Sequence, residues 1–474
     1  MPINSFLYPA KHVPVVYEVA NSLRFNDGSS DYLNKTLGTA SNRKIFTISY
    51  WIKKTTTGIH IPIVEVASSG GSIGGSENAA QIYFNTSDQL TWYETHGGGV
   101  INLSTNRVFR DPNAWYHIMY AIDTTQGTST NRLKLYINGV QETSFTSGSG
   151  TYPSQNLESY INSDQDATYI GRTRYNNKYF DGYMCEVVHV DGTAHSPTDL
   201  GEFDEDSPRI WKPKDVSGLT FGTNGFYLDF EDSSSLGNDA AGSNNFSVSN
   251  LTAIDQSTDT CTNNFMTLNP LSTDSGVTLS EGNTESDFDG SVGNAKGNIG
   301  LTRGRWYWEV KLTNSTSGYP MIGIGSMNEE QMQKPTGGSY PGGFSNSYGV
   351  YGTNLRLYAN GTNEGDQGSS YTTGDIFGIY LDLESSTKTI KWYKNGSSVL
   401  SDDITNAGDD YPYTCIDYNG GESSINVNYN FGNPAYSISS GNTDDNGYGN
   451  FEYSPNISST KYYAVCSKNL AEFG

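Results

Sequence analysis

Phe46-Thr47-Ile48-Ser49-Tyr50-Trp51-Ile52-Lys53 is the stretch on which the fold assignment turns. Phe46, Ile48, Tyr50 and Ile52 fall on one face, and Thr47, Ser49, Trp51 and Lys53 on the other, which is the period of a half-buried β-strand. Residues 115–123 read as a second strand, apolar on both faces and therefore central. Residues 132–138 alternate again, with Leu133, Leu135 and Ile137 inward. They stop at Asn138-Gly139, a hairpin signal because both turn residues need positive φ. Residues 183–190 close this unit. Further along, Arg305-Trp306-Tyr307-Trp308-Glu309-Val310 alternates with Trp306, Trp308 and Val310 on one face, and residues 376–383 are strongly apolar. Residues 390–394 end at Asn395-Gly396. Each Asn-Gly pair follows a Tyr two residues before the Asn (Tyr136 and Tyr393), a weak internal echo of two related sandwiches.

Composition agrees with this period. The 474 residues include 53 Gly, 34 Tyr, 19 Phe and 7 Trp against 16 Pro, a turn-rich, aromatic usage that predicts an all-β chain. The longest helical candidate is only residues 328–334. Lys+Arg is 28 and Asp+Glu 51, a formal charge of −23 that argues against nucleic-acid backbones and anionic lipid. No run is long and apolar enough for a membrane helix, and the start has no basic region followed by an apolar run, so no signal peptide is expected. Cys185, Cys261, Cys415 and Cys466 are widely spaced without a C-x-x-C pair. They read as buried free thiols of a chain made in a reducing cytoplasm, leaving it by a route such as cell lysis.

The chain divides into an extended, Pro-containing arm (1–20), a first sandwich (21–195), a connector with a few strands (196–261), a second sandwich (262–436) and a C-terminal extension packing on it (437–474). The arm is the segment expected to engage other proteins by edge pairing or threading.

Residues 21–192 resemble the laminin-G-like and pentraxin-like branch of the concanavalin A-like fold. The residues that carry this are Ser22 to Leu33, Phe46 to Lys53, Trp115-Tyr116-His117, Leu133 to Gly139, Tyr169-Ile170-Gly171-Arg172, and Phe180-Asp181-Gly182-Tyr183-Met184-Cys185-Glu186-Val187. The second unit resembles a SPRY domain through Gly304 to Val310, Ile322-Gly323-Ile324-Gly325, Tyr348-Gly349-Val350-Tyr351, Gly374 to Gly378, Lys391 to Gly396 and Asn430-Phe431-Gly432. The resemblance implies two concanavalin A-like jelly-roll sandwiches. Their pairing, with Trp211-Lys212-Pro213-Lys214 between them and Cys466-Ser467-Lys468-Asn469-Leu470 at the end, looks like virion proteins of tailed bacteriophages of aquatic bacteria, described as tail-fibre-like or SPRY-containing. That likeness implies a virion location, partners among virion proteins, a host-surface glycan as ligand, and a homo-oligomer, a trimer by analogy with fibres. A capsid decoration or head fibre with a mechanical role is the alternative.

An enzyme is not expected. Laminarinase-like sandwiches use E-x-D-x-x-E or E-x-D-x-E, which puts three carboxylates on one face of a strand. The nearest match, Glu202-Phe203-Asp204-Glu205-Asp206-Ser207, lacks the last Glu in either form, and a polysaccharide depolymerase is the less favoured reading. No histidine spacing or G-x-S-x-G elbow marks a metal or nucleophile site. No cofactor is expected, although related folds hold calcium at a loop rim. Asp27/Asp31 and Asp164/Asp166 are paired carboxylates of that sort, to which no ligand role is assigned; turn carboxylates bonding their own backbone are the alternative. For glycan or partner binding the candidates are loop aromatics: Trp92 and Tyr93, before Gly97-Gly98-Gly99, and Tyr340 and Phe344, within Gly337-Gly338-Ser339-Tyr340-Pro341-Gly342-Gly343-Phe344. Trp92 can equally be a core residue. The second pair lies in a glycine-rich loop expected to leave it unburied.

Overall fold

Each alternating stretch becomes an antiparallel strand in the structure, a computed structural model that describes residues 17–474 apart from 69–77, 97–98, 147–149, 176, 316–319, 334–338 and 422–424. The molecule is nearly all β, built as two sandwiches.

In the first sandwich one sheet runs Val140–Glu142, Leu133–Ile137, Tyr116–Asp123, Ile45–Lys54, Gly182–Asp191, Ser22–Phe25, Gln256–Ser257, with Phe226–Leu228 also on Gly182–Asp191. The other runs Ser247–Ser249, Tyr32–Thr36, Ala167–Ile170, Ile61–Ala67, Ala79–Phe84, Gln89–His96, Gly99–Val108. Residues 196–261 thus supply a strand to the second sheet and two to the first. Between the sheets lie Phe46, Ile48, Tyr50 and Ile52 against Val64, Ile82, Trp92 and Leu103.

The outer face of Ile45–Lys54 differs from the half-exposed one expected: Thr47, Ser49, Trp51 and Lys53 are all buried. The later chain covers it. Trp211 lies over the Asn138-Gly139 turn, where a Cβ on Gly139 would stand 2.4 Å from its ring. The Trp211 indole N–H donates to His117 Nδ1 at 2.9 Å, and His117 stacks between Trp51 and Trp211. His117 Nε2 is 2.8 Å from Ser49 Oγ; burial pushes this imidazole down to about 3, so it stays neutral.

In the second sandwich Thr278–Ser280, Glu285–Asp287, Ile425–Asn430, Arg305–Ser315, Ile376–Asp382, Thr389–Lys394 and Ser397–Asp403 form one sheet. Val292–Lys296, Tyr413–Gly420, Met321–Ser326, Ser347–Tyr351, Arg356–Ala359 and Thr362–Asp366 form the other. Trp306, Trp308 and Val310 point into the core, while Tyr307 faces away and is covered by Phe451, Tyr462 and Cys466 of the C-terminal segment. Glu309, on the same outer face, accepts the backbone N–H groups of Glu452 and Tyr453 at 3.1 and 2.7 Å. Tyr463–Ala464 adds a short parallel pairing to Arg305–Ser315. Asn138/Gly139 and Asn395/Gly396 all have positive φ (48°, 75°, 48°, 77°), the backbone that a two-residue hairpin demands. The helical candidate contracts to Glu330–Gln333; the other α-helix described is Ser467–Phe473.

The sandwiches meet through buried charge. Lys53 Nζ binds Asp259 Oδ2 at 2.8 Å and Asn264 Oδ1 at 2.7 Å, with both charged side chains fully enclosed. Arg24 reaches Glu281 at 3.2 Å, and the Tyr183 hydroxyl donates to Gly282 O at 3.0 Å. Of the arm, residues 1–16 lie outside the described residues. Its end docks on this chain: the Tyr17 hydroxyl donates to Glu186 at 3.1 Å, Val19 N donates to Thr262 at 3.1 Å, and Glu18 pairs with Lys468.

Candidate functional site

Strand alternation separates Trp92 from Tyr93. Leu33, Ile170, Val64, Ile82, Trp92 and Leu103 form the inner row of their sheet, and Trp92 is 0% exposed, its N–H donating to the buried Glu94 at 3.3 Å. The structure therefore makes Trp92 a core residue. One step along, Asn34, Tyr169, Glu65, Gln81, Tyr93 and Asn102 stand opposite one another on six successive strands. At ~4.8 Å per strand this outward row is about 24 Å long; its central Glu65 and Gln81 are buried, while Asn34, Tyr169, Tyr93 and Asn102 are partly exposed.

Aromatic rings lie beside the row. Tyr83, two residues along the strand from Gln81, packs flat on His60 (centroids 4.3 Å apart, 17° between planes), and burial pushes His60 down to about 4, leaving it neutral. At the Asn34 end the Arg172 guanidinium lies 4.4 Å from the Tyr32 ring centroid, 5.3 Å from Tyr169 and 5.5 Å from Tyr179. Tyr32, Tyr83, Tyr93, Tyr169, Tyr179 and Arg172 are all half-buried, so ring edges and faces reach water while the stems are held. Glu65 accepts Arg174 N–H at 2.6 Å, and burial pushes its carboxyl up to about 7. Its neighbours in the row are Tyr169 and Gln81, so the row offers it no second acid.

The second sandwich carries a smaller aromatic group. In Ile322-Gly323-Ile324-Gly325 the isoleucines face the core. The glycines leave the outer face bare, and Met332, Pro341 and Phe344 lie over it. A Cβ on Gly325 would come 2.8 Å from Met332 Sδ, and one on Gly349 2.6 Å from Pro341 Cβ. Phe344 is only 7% exposed, packed with Met332 and Ile416, so the glycine-rich loop does bury it, against the sheet rather than within itself. Tyr340 stays half-buried, 5.5 Å from Tyr358 and 5.8 Å from Tyr418. Gly97, Gly98, Gly337 and Gly338 lie outside the described residues. Of the four aromatic candidates, Tyr93 and Tyr340 reach the surface. Tyr32, Tyr83, Tyr169, Tyr179, Tyr358 and Tyr418 join them only through sheet register.

The acidic segment lies elsewhere. Glu202 pairs with Lys212 and Lys214, and Asp204 accepts the N–H groups of Asp206 and Ser207. Three of the four calcium candidates have partners: Asp31 accepts Asn26 N–H at 2.9 Å through one oxygen, Asp164 the Thr39 hydroxyl, and Asp166 binds Arg174. Among the described residues no group of three His, Cys, Asp or Glu is placed to hold a metal ion. A cleft of about 740 Å³ lies between residues 303–305 and the C-terminal segment, lined by Arg303, Arg305, Lys391 and Lys461, of which Arg305 binds Asp382 and Lys461 binds Asp445. No helix among the described residues is long and apolar enough to cross a membrane.

Comparison with known proteins places two domains. Residues 27–199 match the laminin-G type of the concanavalin A-like lectin/glucanases superfamily, and residues 305–429 match the SPRY domain. Among solved structures, a human SPRY domain is 20% identical, covering 35% of this chain and 98% of its own, with a TM-score of 0.27. A Bacteroides ovatus protein described as carbohydrate-binding is 18% identical, covering 49% and 58%, with a TM-score of 0.34. No curated protein matches the chain. The chain thus carries a concanavalin A-like domain and a SPRY domain.

Proposed function

We propose that the chain is a non-enzymatic structural protein of a tailed-bacteriophage virion, fibre-like, whose first sandwich attaches to glycan on the host surface. The observation that carries the binding half is the outward row Asn34–Tyr169–Glu65–Gln81–Tyr93–Asn102 with its flanking tyrosines. Half-exposed rings on rigid strands stack on the apolar faces of sugars, and the partly exposed Asn34 and Asn102 amides at the ends of the row meet hydroxyl groups, while Gln81 is buried. Glu65 alone in that row gives no acid pair to cleave a glycosidic bond. The virion half rests on the sequence likeness, and includes docking on other virion proteins through residues 1–20 and self-association, as a trimer.

Two measurements test the halves separately. The full chain, screened against bacterial surface polysaccharides, should bind at least one. Tyr93→Ala and Tyr169→Ala should each weaken that binding by up to about tenfold, because ring contacts of this kind contribute about 0.5–1.5 kcal/mol. No binding, or binding indifferent to both changes, would refute the glycan reading. Antibody against the chain should label intact particles under negative stain, and unlabelled particles would refute the virion reading.

A further inference from the structure

Cys185 and Cys261 are 76 residues apart, yet their sulfurs are 3.6 Å from each other. Cys185 is buried in Gly182–Asp191, one residue before Glu186, whose φ of 51° marks the irregular step in that strand's pairing. Cys261 is partly exposed and lies in the Thr260–Asn263 turn, where the chain enters the second sandwich. Both neighbours of the pair are held. Thr262 is bonded to both the N–H and C=O of Val19, and Trp51, Trp115 and Trp211 pack around the two sulfurs. A disulfide bond is about 2.05 Å long, so closure asks for an approach of about 1.5 Å.

We infer that Cys185 and Cys261 are a latent cross-link, a dithiol that a small disulfide of the glutathione class converts to a protein disulfide outside a reducing compartment. Cys261, the less buried partner, loses its proton to water, and its thiolate attacks one sulfur of the small disulfide. That S–S bond breaks, and the departing thiolate takes up a proton. Cys185, deprotonated in turn, attacks Cys261 Sγ in the mixed disulfide and expels the second small thiol. The two protein thiols are oxidised by two electrons in all, and one small disulfide becomes two thiols. Burial pushes the Cys261 thiol well above its usual range, so the reaction is slow and the chain folds and assembles in reduced form first. Cys415 and Cys466 are buried in the second sandwich and its C-terminal cover, where neither faces a second sulfur among the described residues. The inference does not depend on what the outward tyrosines bind.

The test uses the reduced full-length chain incubated with oxidised glutathione, then alkylated and denatured. The thiol titre should fall from four to two, the mass read before alkylation should drop by two hydrogens, and the non-reduced peptide map should join Cys185 to Cys261. Cys261→Ser should keep all three remaining thiols, while Cys415→Ser should still lose two. A titre that stays at four, glutathione left attached to Cys261, or a link to Cys415 or Cys466 would overturn the inference.

Discussion

Replacing Lys53 by Met should damage the joint between the sandwiches far more than a charge deletion at the surface would. Lys53 and Asp259 are each 0% exposed, and the ammonium holds Asp259 at 2.8 Å and Asn264 at 2.7 Å. With Lys53 gone, the Asp259 carboxylate keeps the Trp115 N–H at 3.1 Å and the low-dielectric surroundings, but no counter-charge. Breaking one side of a buried pair costs about 3–5 kcal/mol, or about two to four decades in the folding equilibrium. The stranded acid also sets a pH dependence. Burial already raises Asp259, and loss of Lys53 raises it further. The folded variant then holds a proton that the unfolded chain releases near pH 3.8, so its deficit grows as pH rises above that value. Urea unfolding followed by tryptophan fluorescence should show a smaller loss at pH 4 than at pH 8. Lys53→Met/Asp259→Asn removes both charges and should recover most of the loss, with a coupling energy of the same order. A single-variant cost below about 1 kcal/mol, or no recovery in the double variant, would refute the account of the seam.

Asp181 offers a test of sign at a second place: burial, then the nearby Asp27 charge, pushes it up to about 8, and its Oδ1 is buried without a hydrogen-bond donor. The folded state keeps that proton while the unfolded chain loses it near 3.8, so stability falls as pH rises between those values, and Asp181→Asn should raise the urea midpoint more at pH 8 than at pH 4; equal shifts would contradict this. Gly343→Ala would place a Cβ 2.4 Å from the Tyr340 ring without violating a left-handed backbone. It should cost about 1–3 kcal/mol by overpacking, and Tyr340→Ala added to it should restore the midpoint; a neutral Gly343→Ala would show that the ring does not sit there.

The strands and their hairpins were legible because period-two alternation and Asn-Gly turns are local properties. Burial of the second face of Ile45–Lys54 was not, since its cover comes from Trp211 and from residues near 259, which no window around Trp51 contains. Tyr93 could be named from its neighbourhood, but its partners Tyr169 and Glu65 come from strands set beside it only by register. Phe344 shows the reverse difficulty. Glycine around it suggested exposure, whereas glycine on two adjacent facing strands, at Gly325 and Gly349, is what lets the loop lie flat and enclose it. The contact of Cys185 with Cys261 depends on how the chain re-enters the first sandwich after residue 196, and that return leaves no mark near either cysteine.

The weaving of Phe226–Leu228, Ser247–Ser249 and Gln256–Ser257 into the first sandwich limits how such a chain can be recombined. A crossover at residue 195, where alternation fades, would strip three strands from a finished core. One placed after residue 264 leaves Asp259 beside Lys53 but takes Glu281 away from Arg24. The buried Arg24 then keeps Asp255 at 3.6 Å but loses Glu281 and the Pro434 carbonyl, so a module joined there meets a guanidinium with donors left to satisfy.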